Sequence, residues 1–368
     1  MFIDKLKRLV NPALADSLLV HSAAEGTGVI PFDDLPKLLN AGNLKMPGSD
    51  ISIADYYRYM SGKQILINAD FSNKKLVVNQ RMQDEYTRTG YTVDMWALRG
   101  SCKLQLLSDG LKVISVGDNS NNFPSINQFI ENFGALAGKT VTCSVLIDEL
   151  NLVDDCTCTF AAWDTDTFLS HTNPIGATSG ITKPGLYTFT VKVKDTLAKG
   201  CLISLRLNTP QENSWFKVRA IKVEINDHQT LAHREGNKWV LNDPTPNYAE
   251  ELAKCQRYLI NFCVIDKEYA SVGGGLKSAV STRATIDIPL PTTMRARPAI
   301  TYKGNWKLVP EGSCASGLDV TSISLNKISG NMASAYVEAA ASLEQGKYYQ
   351  LVCVPGTEEN ILLASADL

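Results

Sequence analysis

Two tryptophans in this chain stand beside acids and amides, and each grouping has the chemistry to hold a sugar. In Trp163-Asp164-Thr165-Asp166 an indole ring can stack on a pyranose face while the carboxylates accept its hydroxyl hydrogens. Trp215 follows Gln211, Glu212 and Asn213, and the polar stretch Asp118 to Asn122 precedes Phe123. Trp163, Asp164, Trp215 and Asn122 are therefore the candidate ligand contacts of a shallow polar edge. Each also has a plain structural reading, a surface turn after a strand or a core aromatic. Acid pairs such as Asp154-Asp155, or Asp164 with Asp166, are of the type that binds calcium or cleaves glycosides. Neighbours in sequence do not supply the separation across a cleft that such cleavage needs, so no catalytic residue is assigned and the chain is read as a non-enzyme.

Other chemistry finds few starting points. The histidines are His21, His171, His228 and His233, and no His-Glu-x-x-His, Gly-x-Ser-x-Gly or Cys-x-x-Cys occurs. Cys156 and Cys158 share one face of a strand, at the wrong spacing for a zinc knuckle. Gly273-Gly274-Gly275-Leu276-Lys277-Ser278 echoes a phosphate loop, but Leu276 separates glycine from lysine and no helical pattern follows, which predicts a flexible loop. No metal or cofactor is expected. The cysteines at 102, 143, 156, 158, 201, 255, 263, 314 and 353 are odd in number and irregularly spaced, and most fall where a strand wants an apolar residue. They read as small buried hydrophobes of a protein made in a reducing compartment. The 36 basic and 38 acidic residues form no block of like charge, which argues against a nucleic-acid tail or a polybasic membrane patch. The first residues, Met-Phe-Ile-Asp-Lys-Leu-Lys-Arg-Leu-Val, mix charges into the apolar positions, unlike a signal peptide, and no later run is long enough to span a bilayer.

The elements that must position these residues are mostly strands. At 368 residues and 44% apolar content the chain can bury two cores and carry an appendage. Residues 1–62 read as short helices: a stripe of Phe2, Leu6, Leu9 and Val10, a helix through Leu18, Leu19 and Val20 ended by Gly26 and Gly28, one from Asp34 to Asn40, and one opened by Ser52 and Asp55 with Tyr56, Tyr57 and Tyr59. Such helices bury little among themselves and are expected to dock on copies of this chain or on another protein. Residues 63–226 alternate as strands. Cys102, Leu104 and Leu106 turn at Asp109-Gly110 into Leu111 and Val113, and Val141 to Ile147, Cys156 to Phe160, Tyr187 to Val193 and Cys201 to Leu207 come next. Phe216, Val218 and Ala220 change phase into Ile221, Val223 and Ile225, as at a bulge. Residues 227–257 form a linker, irregular from Asn226 to Pro246, and a helix. Asn247 caps that helix with Glu250 reaching back to the cap's N–H, Glu250 pairs with Lys254, and Tyr248, Leu252 and Cys255 share a face. Residues 258–368 alternate again, through Ile286, Ile288, Val320 to Leu325, Leu351 and Cys353. The expected fold is mainly β, two antiparallel jelly-roll-like sandwiches bridged by one helix and preceded by a short-helix segment.

The central module carries Val78-Asn79-Gln80-Arg81, Thr89-Gly90-Tyr91-Thr92-Val93-Asp94-Met95-Trp96, Gln128-Phe129-Ile130-Glu131 and Leu136-Ala137-Gly138-Lys139-Thr140-Val141. It is followed by Glu251-Leu252-Ala253-Lys254-Cys255-Gln256-Arg257-Tyr258 and by Met294-Arg295-Ala296-Arg297-Pro298. In this order the motifs resemble the carbohydrate-binding-module-like jelly roll of tail fibres and receptor-binding proteins of tailed phages and prophages, over residues 65–368. The chain departs from that pattern at Met82, where a glycine is usual, at Met95, where an arginine is, and at Leu259, where a second aromatic is. The resemblance implies a virion structural protein made in the bacterial cytoplasm, a homotrimer joined to the tail or baseplate through residues 1–62 and attaching to host surface carbohydrate, or alternatively a connecting fibre without direct receptor binding. Asp94 and Trp96 read as scaffold: a buried aromatic with a carboxylate available to Arg81 or to a backbone N–H.

Overall fold

The computed structural model describes residues 17–22, 26–31, 62–117, 123–131, 133–163, 174–195, 200–262, 270–310, 317–354 and 361–366, with backbone alone for 17–22, 26–31 and 162–163. The helices expected at Phe2–Val10, Asp34–Asn40 and Ser52–Tyr59 lie outside the described residues, as do Asn122, Asp164, His171, Cys263 and Cys314. Every strand pairing is antiparallel. Two compact units emerge, residues 1–63 with 228–244, and residues 64–227 with 245–368.

In the first unit β1 (Ser17–Ser22) pairs with β2 (Gly26–Pro31), Leu19 opposite Val29 and Val20 opposite Gly28. This corrects the helix expected through Leu18, Leu19 and Val20. A three-residue apolar run does not distinguish helix from strand, and the β-branched Thr27, Val29 and Ile30 of its partner favour the ladder.

The sandwich of the second unit contains β3 (Glu85–Tyr86), β4 (Gly90–Tyr91), β5 (Ala97–Arg99), β6 (Cys102–Leu107), β7 (Gly110–Ser115) and β8 (Ser125–Ile130). It continues with β9 (Thr140–Asn151), β10 (Cys156–Trp163), β11 (Gly176–Ala177), β12 (Gly185–Lys192), β13 (Gly200–Leu207) and β14 (Trp215–Ile225). Two six-stranded sheets result, in the orders β11-β10-β13-β8-β5-β4 and β12-β9-β14-β7-β6-β3. Alternation dictates which side chains enter the layer between them. Cys156, Cys158 and Phe160 of β10 and Cys201, Ile203 and Leu205 of β13 meet Val141, Cys143 and Val145 of β9 and Leu104, Leu111 and Val113 of β6 and β7. The phase change in β14 is a genuine bulge, with register shifts at Lys217/Val218 and Val218/Ala220.

In the first unit the linker, read as irregular, forms a hairpin of β15 (Ala232–Glu235) and β16 (Lys238–Leu241). Its two-residue connection Gly236-Asn237 places Gly236 at φ +57, a conformation that suits glycine, so this corrects the expectation through ordinary hairpin chemistry. His233 lies within it, bonded to the Asn242 side chain and, through Nε2, to Glu235 Oε1 at 3.1 Å.

The helix α1 (Tyr248–Cys255) is capped by Asn247, whose side chain accepts from Ala249 N–H. Two details of the expected cap differ. Glu250 accepts from the Asn247 side-chain amide at 3.3 Å, and Lys254 pairs with Glu251 Oε1, while Glu251 Oε2 accepts from Asn68 N–H at 2.7 Å. Cys255 is buried and Leu252 packs on the sandwich core.

After α1 come β17 (Leu259–Asn261), β18 (Ala270–Lys277), β19 (Arg283–Pro289), β20 (Ala299–Lys303), β21 (Trp306–Pro310), β22 (Leu318–Ser329), β23 (Met332–Ala339), β24 (Tyr348–Cys353) and β25 (Ile361–Ser365). Six of them close as a barrel in the order β18-β19-β23-β22-β21-β24, and β17-β25-β20 form a separate sheet. The barrel encloses Ile286, Ile288, Trp306, Leu308, Val337 and Leu351. Gly273-Gly274-Gly275, expected in a loop, belongs to β18. A Cβ on Gly273 would stand 2.4 Å from Asp287 O and one on Gly275 1.9 Å from Thr285 O, so the glycines permit a close backbone approach within the wall.

Candidate functional site

Five of the six motifs that carry the resemblance, all but Leu136–Val141, converge on one joint, where the sandwich meets α1 and β17. Asp94 is buried, and its carboxylate accepts from Gln80 N–H at 2.9 Å and Gln80 Nε2 at 2.5 Å. Gln80 Nε2 also donates to Leu259 O at 2.7 Å, and Asn261 Nδ2 donates to Gln80 O at 2.6 Å, so β17 is tied to the Asn-Gln-Arg run. Trp96 is fully buried, stacks edge-on against Phe71 and donates from Nε1 to Asn68 O at 2.8 Å. The scaffold reading of Asp94 and Trp96 therefore holds, with Gln80 supplying the backbone donor. Glu131 takes a two-pronged bond from Arg257, Nη1 to Oε2 at 2.9 Å and Nη2 to Oε1 at 3.1 Å, and accepts from Tyr258 Oη. Arg295 donates its backbone N–H to Arg257 O at 2.9 Å and lays its guanidinium 5.7 Å from the Tyr258 ring centre. Burial, and next the bond to Glu131, hold the Tyr258 phenol above its ordinary pKa. These bonds fasten α1 and β17 to the sandwich.

The tryptophans are not brought together. Trp163 ends β10, opposite Gly200 of β13. Trp215 begins β14, opposite Asn151 of β9, in the other sheet. Because β9 passes into β10 through the four residues after Asn151, Trp215 sits at the end of the sandwich where β10 starts, and Trp163 at the end where it finishes. Trp215 is half-buried, and Lys112 Nζ lies 3.7 Å from its ring centre, occupying a face that a sugar would use. Asp164 and Asn122, the remaining candidates, are outside the described residues.

A different group of polar residues is gathered by strand register, on a face where Leu202 and Ala161 are buried as well. Asn127 of β8, Ser204 of β13 and Thr159 of β10 are paired directly across three adjacent strands, on the face of the sheet turned away from the core. Their exposures are 0%, 1% and 1%, yet Asn127 Oδ1, Ser204 Oγ and Thr159 Oγ1 have no hydrogen-bond partner. The amide nitrogen of Asn127 is engaged, donating to Ser125 Oγ at 3.1 Å, so its acceptor end alone is left over. Each such atom costs on the order of 1–3 kcal/mol relative to a satisfied one. One register line away, Arg206 and Ser125 are opposite each other, and Arg206 Nε is likewise buried without a partner.

Aromatic and cationic side chains border this floor. Arg99 lies opposite Ser125, and Phe129 two residues beyond Asn127, on either side of Asn127 along the same face. The Arg99 guanidinium comes within 5.7 Å of the Phe129 ring centre, so the pair reaches over Asn127. Burial lowers the Arg99 pKa, with the Tyr91 phenol opposing. At the other margin the Arg206 guanidinium lies 5.2 Å from the ring centre of the exposed Phe123. Hydroxyls, an amide acceptor, arginines and aromatic rings are the side chains that hold sugars in water. Nothing local in the sequence marks the row, since its members are neighbours only through strand register.

The seven described cysteines are all free and buried, in agreement with their reading as small hydrophobes. Cys143 faces Cys158 and Cys201 across the core without a bond between them, and burial pushes the thiols of Cys102, Cys156 and Cys201 up to about 12. Among the described residues no three His, Cys, Asp or Glu side chains are grouped as metal ligands, and no helix is long and apolar enough to cross a membrane.

No protein-family model matches the chain, and no curated protein sequence matches it. Similar solved structures come from xylanases. The CBM22-1–GH10 modules of Clostridium thermocellum xylanase 10B, complexed with xylohexaose, match at 13% identity over 42% of this chain and 30% of that one, with a TM-score of 0.28. The CBM22-1–CBM22-2 tandem of Paenibacillus barcinonensis Xyn10C matches at 12% identity over 83% and 90%, with a TM-score of 0.29. The apo CBM1 of BiXyn10A matches at 12% identity over 45% and 92%, with a TM-score of 0.25. This chain thus spans less than a third of the first of these structures.

Proposed function

We propose that the chain is a non-catalytic carbohydrate-binding protein of a phage tail, a fibre or receptor-binding protein that attaches the particle to host surface glycan through the outer face of β8, β13 and β10. The observation that carries the glycan reading is the row Asn127, Ser204 and Thr159, whose oxygens are buried and unmatched within the protein. A polyhydroxylated ligand offers a donor or acceptor to each in a site that must open to admit it, since the row is at most 1% exposed. The row is then the floor of a site that opens on binding. The phage context rests on the motif resemblance over residues 65–368, and homotrimerisation and attachment through residues 1–62 belong to the same reading. Weak single-site binding would be raised by several copies held on one particle. Free, buried thiols suit synthesis in a bacterial cytoplasm.

The test is calorimetric titration of the full chain with fragments of host envelope polysaccharide. Ser204→Ala and Thr159→Val are expected to weaken binding about tenfold each, on the order of one lost hydrogen bond, and Trp215→Ala to leave it within twofold. Unchanged binding in both row variants would remove the face from consideration. A second reading, a connecting fibre without receptor contact, is favoured by one observation: most of the resemblance motifs meet at the joint, and none of them supplies Asn127, Ser204 or Thr159. Protein that assembles onto tails yet ignores host cells and their polysaccharide would establish that alternative.

A further inference from the structure

The sheet that bears the polar row has an unusual charge content. Its strands read Gly-Tyr (β4), Ala-Leu-Arg (β5), Ser-Ile-Asn-Gln-Phe-Ile (β8), Cys-Thr-Cys-Thr-Phe-Ala-Ala-Trp (β10), Gly-Ala (β11) and Gly-Cys-Leu-Ile-Ser-Leu-Arg-Leu (β13), with two arginines and no acid. The opposite sheet behaves otherwise. There Lys217 is paired with Asp109 and Glu149, and Arg219 with Asp148. Arg206 has no ion pair among the described residues, and its Nε is buried without an acceptor. The carboxylate at the sheet margin, Asp155, is engaged by Asn208 Nδ2 at 2.5 Å and lies against Gly180.

Register places both arginines on one line. Arg99 and Arg206 flank Ser125 from neighbouring strands, so their backbones are about 10 Å apart, and Arg206 stands two residues, roughly 7 Å, along β13 from Ser204. In the opened site, a ring resting on Ser204 and Thr159, both 1% exposed as the face stands, would direct a substituent toward Arg206. A hydroxyl there could accept one bond, but it would leave the cation without a counter-charge in a partly desolvated setting, where an anion interacts far more strongly than in water.

We infer that the ligand of this face is an acidic glycan, one whose sugar carboxylate is received by Arg206 while the ring meets Ser204 and Thr159. This rests on the glycan reading and narrows it to a chemical class. Arg206 supplies the charge-assisted bond, and Phe123, against which its guanidinium lies, holds it at the margin.

The experiment titrates the full chain with host envelope polysaccharide fragments in two forms, native and carboxyl-reduced, the second differing by replacement of each carboxylate with a neutral hydroxymethyl group. Wild type is expected to bind the native form at least tenfold more tightly. Arg206→Gln is expected to close that gap and Arg206→Lys to keep part of it, while Ser204→Ala weakens both forms alike; thermal unfolding of each variant confirms that it folds. Equal binding of the two forms by wild type, with Ser204→Ala still weakening both, would overturn the acidic ligand and leave the glycan face standing. A gap that survives in Arg206→Gln would place the charge recognition elsewhere and overturn the inference. No binding of either form, or no effect of Ser204→Ala and Thr159→Val, would overturn the glycan reading and this inference with it.

Discussion

The joint around Asp94 and Glu131 and the row around Ser204 are both polar groups set into the same sandwich, and they differ in one respect. At the joint nearly every buried donor has found an acceptor: Asp94 is matched by Gln80, Glu131 by Arg257 and Tyr258, Asn68 by Val78 and by Asp94 O. Arg295 Nε stops short, 3.8 Å from Glu131. In the row, oxygens on three adjacent strands lack partners within a few ångströms of one another. A satisfied buried network specifies one arrangement of the chain, whereas an unsatisfied one lowers stability until something else completes it. The first pattern is that of a scaffold, and the second is the one on which the proposed binding surface rests.

That contrast can be broken by substitution. The largest effect is expected at Asp94→Ala, which strands the Gln80 N–H and one of its two side-chain amide hydrogens in a sealed position and should cost about 3–5 kcal/mol in urea unfolding. Glu131→Ala should cost about 2 kcal/mol, since its side chain is partly exposed, and should also loosen α1 and β17 from the sandwich, measured as faster proteolysis between residues 245 and 262. Thr159→Val and Ser204→Ala should move the other way, raising unliganded stability by about 1 kcal/mol each while weakening ligand. Loss of stability in both would mean that the row is already satisfied and would erase the distinction. The smallest change is expected at Met82, which adopts φ +57 where the resembling proteins carry glycine. Met82→Gly should stabilise by about 0.5 kcal/mol, the relief of left-handed strain less glycine's unfolded-state entropy.

Strands whose two faces differ were legible in the sequence. Cys102, Leu104 and Leu106 alternate because one side of β6 enters the core, and the bulge in β14 declared itself where apolar residues changed phase. The Gly273 run reads as a loop in sequence because glycine marks both loops and close backbone approach, and only the neighbouring strand distinguishes them. Ser17–Ser22 was too short for its period to decide between helix and strand. The tryptophans drew attention because aromatics beside acids are visible in one line of text, yet Trp163 and Trp215 begin or end strands at opposite ends of the sandwich. Asn127, Thr159 and Ser204 look like ordinary polar residues until the strands are paired. Their significance lies in what they lack, which composition and spacing do not encode.

The barrel formed by β18, β19, β23, β22, β21 and β24 gives every one of its strands a neighbour on both sides. Proteins crowded at high local density tend to adhere by extending one another's sheets, and a wall that closes upon itself offers no seam from which such growth could start. Among the described residues of this segment, such growth has edges to start from only at β17 and β20, the outer strands of the three-stranded sheet.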